Sequence, residues 1–453
     1  MTPSARLAAA IDLLAEMDAA PRRPADAVAN SFFRERRFIG GGDRRAISAL
    51  VWDSLRHWRR AAWFIERAGG EPTPRLRIAS RQILTGSTPG AISQAFVEGR
   101  FAPGALTQNE RHTLDRIARA DPSEQQPDAV RLEIPDWLFP HLQARFGADL
   151  EKELEALGQE ATLDLRVNTL RGDRETVRKK LMREGLHAEP TPLSPWGLRL
   201  PGRLPVTSSA AFKDGLVEIQ DEGSQLVVAM LGATPEMRVL DYCAGAGGKT
   251  LAIAMTMQNR GHIIACDVSV PRLDGAVRRL RRAGAHNVER HLLTPGDKWA
   301  KRRAKSFDRV LVDAPCTGTG TWRRNPDARV RLEERDLKEL TVKQADILDR
   351  AAALVRPGGR MVYATCSILD AENRNQIDAF MARNSDFSLV APDTAEIPER
   401  FRDSPILSLS PAKDETDGFF AAVLERKAEP AITEPTITEP AVTPPEADAP
   451  PAP

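Results

Sequence analysis

The sequence predicts an α/β protein, with a doubly wound, largely parallel sheet in its second half, preceded by an all-α domain and a small α+β module. Three observations carry this. From Asp221 onward, short apolar runs of strand length alternate with segments of helical period, as parallel strands joined by crossover helices require. One largely apolar run, residues 307–312, stops at Asp313-Ala314-Pro315-Cys316, a carboxylate, a breaker and a thiol. A glycine-rich segment, residues 242–250, joins a strand to a helix, the place where open α/β sheets bind ligands.

A chain of 453 residues corresponds to about three domains at roughly 150 residues each. Apolar content of 42% with 28% charged residues fits a soluble globular protein, and no run approaches the roughly 18 apolar residues of a membrane span. Residues 1–18 lack a cationic start followed by an apolar core, so a cytoplasmic protein with no membrane contact is expected. The four cysteines, Cys243, Cys266, Cys316 and Cys366, form no C-x-x-C pair, and there are only seven histidines. That argues against a zinc site or a disulfide frame, and no metal is expected. Nothing in the sequence points to an oligomer, so a monomer is favoured.

Net charge is +1, but residues 429–453 hold five acids and no Lys or Arg, leaving 64 basic and 58 acidic side chains in residues 1–428. The excess is uneven, with eleven Arg against five acids between Arg22 and Arg67. Such clustering suits a phosphate-rich partner, whereas any single arginine is as well explained by a solvated helix face.

Residues 1–125 read as helical. Leu7, Ala10, Ile11 and Leu14 follow the i, i+3, i+4, i+7 rule behind a Ser4 cap, and Asp43 caps a second helix with Ile47, Leu50, Val51, Ser54, Leu55 and Trp58 on one face. Arg45, Arg56, Arg59 and Arg60 fall on its other side, and a shorter helix, residues 25–37, precedes a flexible Gly40-Gly41-Gly42 turn. Trp52, Trp58, Trp63 and Phe64 fit a core better than a base-stacking platform. The polar run 121–127 has linker composition. Residues 126–218 form the second module: a helix over 134–158 after Pro135, an alternating strand at 163–168, a helix at 176–183 closed by Gly185, and strands at 196–200 and 216–219. Arg166, Arg171, Arg178, Lys179, Lys180 and Arg183 add positive charge there, suggesting RNA contact.

The third domain covers residues 219–428. Its predicted strands are 238–241, 262–267, 288–293, 307–312 and 360–366, the last entered through a Pro357-Gly358-Gly359 turn, with a late edge strand at 419–424. Helices over 250–257, 271–283 and 338–354 alternate with them, the second carrying Pro271 in its first turn, where the missing N–H is tolerated. Residues 429–453, rich in Pro, Ala, Glu and Thr, cannot bury enough apolar surface to fold and read as a disordered tail.

The loop Tyr242-Cys243-Ala244-Gly245-Ala246-Gly247-Gly248-Lys249-Thr250 narrows the ligand class. A phosphate-binding P-loop needs Gly where Cys243 stands, and a dinucleotide fingerprint needs Gly where Thr250 stands. Asp267 ends the next strand, where a carboxylate accepts from ribose hydroxyls. The ligand therefore carries a ribose without a tightly held pyrophosphate, as S-adenosylmethionine does.

At this point four motifs stand in order: Gln220-Asp221-Glu222-Gly223-Ser224-Gln225; residues 241–250; Asp313-Ala314-Pro315-Cys316-Thr317-Gly318-Thr319-Gly320-Thr321 with Arg323-Arg324-Asn325-Pro326-Asp327; and Tyr363-Ala364-Thr365-Cys366-Ser367 with Glu372-Asn373. They resemble the RNA cytosine-C5 methyltransferases, and within them the bacterial group of the Sun/Fmu type that modifies small-subunit ribosomal RNA. Residues 25–58 are similar to the NusB-type RNA-binding domain found ahead of that enzyme. The loop departs from the family in having Ala246 where Pro is usual.

The chemistry explains the residue types. Cytosine C5 is a poor nucleophile until a thiolate adds to C6, after which it can attack an electrophilic methyl group. A carboxyl group such as Asp313 can hold the pyrimidine N3 edge, and the target base must be unstacked to enter the pocket. Position alone makes Cys316 the first candidate nucleophile. The resemblance instead implies that Cys366 attacks and Cys316 assists release, with Cys266 structural. It also implies a class I methyltransferase sheet binding S-adenosylmethionine: Cys243, Ala244, Gly245, Ala246, Gly247, Gly248 and Lys249 around the methionine part, Asp267 at the ribose, Asp297 near the adenine, Asp313 near the methyl, and Arg272 as a further contact. Two alternatives share these motifs: the same reaction on transfer or another RNA, and a catalytically silent RNA-binding assembly factor.

Overall fold

The computed structural model describes residues 1–121, 125–202 and 204–428. The predicted tail from residue 429 lies outside the described residues, as do 122–124 of the predicted linker.

Helices Pro3–Asp18, Ala25–Glu35, Gly41–Arg56, Trp58–Arg67, Pro74–Leu84, Pro89–Ala95 and Gln108–Arg119 enclose one core around Leu13, Leu14, Phe32, Ile47 and Ile65. Three of them begin with Thr-Pro: the hydroxyls of Thr2, Thr73 and Thr88 accept from the amides of Ala5, Leu76 and Ala91, and the proline fills the first helical position. Ser4 is therefore not the cap of the first helix. Nor does Asp43 cap the third. Gly41 and Gly42 already belong to that helix, and Asp43 in its first turn pairs with the Met1 ammonium and with Arg6 at 2.7 Å. The expected flexible glycine turn is thus a helix start. Phe64 is buried, while Trp52, Trp58 and Trp63 pack partly buried against the core.

The helix expected over 134–158 is broken at Gly147 (φ +52°) into Phe139–Phe146 and Leu150–Gly158. Both pack with Trp322, Leu337, Ile368 and Leu369 of the third domain in a shared core. Strands β1 (Leu163–Val167), β2 (Glu189–Pro190), β3 (Gly197–Leu200) and β4 (Val217–Ile219) form an antiparallel sheet in the order β2-β3-β1-β4, covered by helix Arg174–Arg183. Several of its basic residues are already engaged. Buried Arg166 donates to Gly248 O at 2.8 Å, Arg171 to Ala283 O at 3.1 Å, and Lys180 pairs with Asp214 at 2.7 Å.

The large sheet contains β5 (Arg238–Asp241), β6 (His262–Asp267), β7 (Val288–Leu292), β8 (Phe307–Asp313), β9 (Val355–Thr365), β10 (Phe387–Leu389), β11 (Ile406–Leu409) and β12 (Phe419–Arg426). Its order is β10-β12-β9-β8-β5-β6-β7, with β11 also on β12. Strands β5 to β9 pair in parallel, and β12 is antiparallel to β9, β10 and β11. The last strand is therefore internal rather than at the edge: Ala421 to Leu424 are fully buried, as a strand covered on both faces must be. Pro357-Gly358-Gly359 is not a turn before β9 but lies within it. Phe307 faces Val355 and Arg309 faces Arg360, so the intervening residues bulge out, with Gly358 at φ +70°.

The chain runs outward from β5 to β7, then returns to β8 on the opposite side of β5. The carboxyl ends of β5 and β8 therefore flank the topological switch point, where a crevice opens.

Candidate active site

A cleft of ≈ 1100 Å³ occupies that switch point. Its lining includes Cys243, Ala244, Gly245, Ala246, Gly248, Lys249, Asp267, Arg272, Asp297, Asp313, Cys316 and Cys366. Of the loop residues 243–249, Gly247 alone does not line it. It caps helix Gly248–Thr256 at φ +79°, where a Cβ would stand 3.1 Å from Ala276 Cβ. Gly245, at φ +55°, faces open space. The carbonyl of Ala246, which stands where the family usually has proline, accepts from Arg279 Nη1 at 3.0 Å.

Asp267 Oδ2 accepts from Gly245 N at 2.9 Å and Oδ1 from Ser269 N at 2.8 Å, fixing the carboxylate across the loop. Each oxygen retains capacity for a further donor. Asp297 bonds Trp299 N at 2.8 Å and His291 Nε2 at 2.7 Å, and these two partners, the amide first, hold its carboxyl below the usual range. Arg272 is exposed at the rim.

Asp313 ends β8 opposite Ala364 of β9, two positions before Cys366. Its Oδ2 accepts from Lys249 Nζ at 2.7 Å, joining the loop after β5 to the end of β8. Burial lowers the Lys249 pKa, and the Asp313 carboxylate more than restores it, leaving the ammonium above its ordinary value. Cys316 Sγ lies 3.4 Å from Cys366 Sγ. That contact first, and burial second, raise the Cys316 thiol well above the usual cysteine range. Burial likewise pushes Cys243 and Cys266 up, so neither is an activated thiol.

The segment after Cys316 is held from below. Glu372, fully buried, accepts from Thr317 N at 2.8 Å and from Gln344 Nε2 at 2.9 Å, and Gln344 also bonds Pro315 O. Gly320 N donates to Cys366 O at 3.0 Å, so the chain leaving one cysteine is pinned to the other.

The cleft also contains groups that sequence reasoning passed over. Asp241, the last residue of β5, is buried; its Oδ2 accepts from Thr250 Oγ1 at 2.7 Å, and its Oδ1 has no hydrogen-bond partner among the described residues. Burial pushes its carboxyl up to about 7 despite that hydroxyl. Its place at a strand end was a readable signal. So was the 343, 346, 347, 350 spacing that puts Lys343, Asp346, Ile347 and Arg350 of helix Glu334–Ala352 on one wall.

The family description "16S rRNA methyltransferase RsmB/F" matches residues 228–425, and an RsmF/B-like ferredoxin-like domain matches 134–207. Ribosomal RNA small subunit methyltransferase B of Serratia proteamaculans is 31% identical over 406 residues, 85% of this chain and 91% of that protein. The chain belongs to the ribosomal RNA small subunit methyltransferase B family. Its counterpart from Escherichia coli O157:H7 is 30% identical over 86% of this chain and 92% of its own length. Among solved structures, PH0851 aligns with a TM-score of 0.76 at 26% identity, covering 94% of this chain and 99% of its own. A methyltransferase homolog from Pyrococcus horikoshii gives 0.57 at 28% identity, over 67% of this chain and 100% of its own. The RsmB/F match contains the loop after β5, Asp313 and both pocket cysteines of this methyltransferase. The ferredoxin-like match covers β1, β2 and β3 of the small antiparallel sheet and the helices Phe139–Phe146 and Leu150–Gly158 before them.

Proposed function

We propose that the chain methylates C5 of a cytosine in small-subunit ribosomal RNA, using S-adenosylmethionine and a covalent bond from Cys366 to cytosine C6. The observation that carries this is the meeting of two sulfurs 3.4 Å apart in one cleft with the Lys249–Asp313 pair and the glycine loop. The names of the relatives support ribosomal RNA as the substrate.

The residues fit the cofactor. Open space over Gly245, spare acceptor capacity on Asp267 and an unpaired Asp241 oxygen suit a ligand with a ribose and an ammonium group. Residues 243–249 would hold the methionine part, Asp267 the ribose and Asp297 the adenine side, with Arg272 at the rim. When bound, S-adenosylmethionine supplies the electrophilic methyl group.

Cys366 passes its proton to the Asp313 carboxylate in the same cleft as its sulfur adds to C6, making C5 nucleophilic. Charge then moves onto the N3 edge. The Lys249–Asp313 pair faces the cleft with both a proton donor and an acceptor for that edge. After methyl transfer C5 has one proton too many; its transfer to water in the open cleft releases the electron pair that reforms the C5–C6 double bond and expels the Cys366 sulfur as thiolate. Cys316 stands beside that sulfur to assist the release. Its raised thiol pKa suits a proton carrier better than a resting nucleophile.

Bisulfite sequencing of ribosomal and transfer RNA from a deletion strain tests the assignment. The expected result is one cytosine in small-subunit ribosomal RNA that loses protection and regains it on complementation. Unchanged ribosomal RNA with a change in transfer RNA moves the target, and no change in either rejects the reaction.

A further inference from the structure

The glycine loop after β5 is held from outside the cleft by a helix that reaches another domain. Helix Val270–Ala283 follows Asp267 and runs back beside the loop. Its period of 3.6 residues puts Ala276, Arg279 and Ala283 on one face. Ala276 packs where a Cβ on Gly247 would stand, at 3.1 Å, and Arg279 Nη1 donates to Ala246 O at 3.0 Å.

The far end of that face meets the small antiparallel sheet. Ala283 O accepts from Asn168 Nδ2 at 2.8 Å and from Arg171 Nε at 3.1 Å, just after β1. Before β4, Gly215, at φ +71°, approaches Arg282 O too closely for a Cβ. Glu218 of β4 pairs with Arg279 Nη2 at 3.2 Å and with Arg282, whose guanidinium also lies 3.8 Å over the Phe212 ring. Arg166 of β1 donates to Gly248 O at 2.8 Å. Two strands of the small sheet thus reach two carbonyls of the loop, β1 through Arg166 and β4 through Glu218 and Arg279.

The loop needs such a hold. Gly245 at φ +55° and Gly247 at φ +79° occupy backbone regions that glycine enters and leaves at no steric cost, so the local sequence does not select one loop shape. A peptide unit is planar and trans, so fixing the Ala246 and Gly248 carbonyls fixes the tilt of the amides that follow them. Ala246, Gly248 and Lys249 all line the cleft. An exposed ion pair would add little to this, but the Glu218 side chain is only 4% exposed. The arginine fork matters too, with one nitrogen on the carbonyl and the other on the carboxylate.

We propose that Arg279, oriented by Glu218, is a positioning residue for the S-adenosylmethionine loop, holding Ala246 O so that the loop has its binding shape before the cofactor arrives. The proposal rests on the cofactor assignment made above. Pre-shaping of this kind raises affinity by removing an ordering cost from the binding step.

The test uses full-length protein and four variants: Arg279→Met, Glu218→Gln, the two combined, and Arg282→Met. The last loosens the contact between sheet and helix without touching the loop. Each is titrated with S-adenosylhomocysteine by calorimetry in the absence of RNA, with melting temperature and methyl transfer measured alongside. Arg279→Met is expected to weaken binding about 5- to 20-fold and Glu218→Gln about 3- to 10-fold. The combined variant loses no more than Arg279→Met alone, because both changes break one chain of contacts. KM for S-adenosylmethionine rises in step, while kcat at saturating cofactor stays within about twofold. Arg282→Met keeps cofactor affinity within about twofold of wild type, whatever its melting temperature. Wild-type affinity in Arg279→Met overturns the proposal. So does an equal loss in Arg282→Met, which would make general loosening of the small sheet the cause, and so do losses that multiply in the combined variant. Wild-type protein that binds no S-adenosylhomocysteine rejects the cofactor assignment itself, a result distinct from any of these.

Discussion

Cys316 Sγ and Cys366 Sγ stand 3.4 Å apart, at the ends of adjacent parallel strands. The contact separates their roles by experiment. Cys366→Ala is expected to form no RNA adduct and to lose at least about 10³-fold in turnover. Cys316→Ala is expected to accumulate a denaturant-stable protein–RNA species, seen as a shifted band on a denaturing gel. The opposite pattern would reverse the assignment.

Lys249 bridges two strand ends through Asp313. Lys249→Met, similar in length but uncharged, is expected to lower single-turnover methyl transfer about 10²-fold or more while leaving RNA affinity within a few-fold. A variant that keeps its rate would remove the pair from the chemistry.

Asp241 makes stability depend on pH. Its folded-state pKa of about 7 lies above the ordinary 3.8, so the native protein retains a proton that the unfolded chain releases. The contribution is full below pH 3.8 and is lost as pH rises through about 7. Asp241→Asn, which cannot ionise, should therefore gain thermal stability relative to wild type from pH 5 to 8, measured without cofactor. Parallel melting profiles would show that the carboxyl is not held up.

Arg324 joins distant parts of the chain. It bonds Asp221 at 2.7 Å, Asp417 at 2.6 Å and Thr162 O at 2.9 Å, and both carboxylates are buried. Arg324→Met leaves them short of a cation. Because Arg323 still holds Asp417 Oδ1 at 3.1 Å, the expected loss is near the low end of the range for such pairs, about 3 kcal/mol by urea denaturation. Lysine, with one point charge, should restore only part. A Met variant as stable as wild type would contradict this.

Gly320 and Gly418 touch through their backbones. A Cβ on Gly320 would meet Gly418 O at 2.1 Å, next to the bond from Gly320 N to Cys366 O. Gly320→Ala must displace the chain beside Cys366, costing about 1–3 kcal/mol and at least tenfold in rate. Unaltered kinetics would mean that the loop adapts without moving Cys366.

The ends of β5, β6, β8 and β9 were legible because an apolar run stopped by a polar residue or a breaker marks where a buried strand delivers chemistry. Other features depend on which strands become neighbours, and local pattern does not specify that. The Lys249–Asp313 pair exists because β8 returns beside β5. Arg324 finds Asp417 across 93 positions of chain. Strand β12 read as a late edge strand although its unbroken apolar run, residues 419–424, suits burial on both faces, and the antiparallel insertion beside β9 supplies that burial. The bulge in β9 looked like a turn because Pro-Gly-Gly has the same local chemistry in both.

That insertion also bears on when the enzyme becomes competent during its own synthesis. Strand β9, which leads into Cys366, takes β8 on one side from early chain but waits for residues 419–426 on the other. Until those residues are made and paired, β9 presents an open edge and Gly418 is not yet docked on the Cys316 segment. Cys366 is thus enclosed only once residues 419–426 have been made, so a nascent chain that stops short of them lacks the assembled pocket.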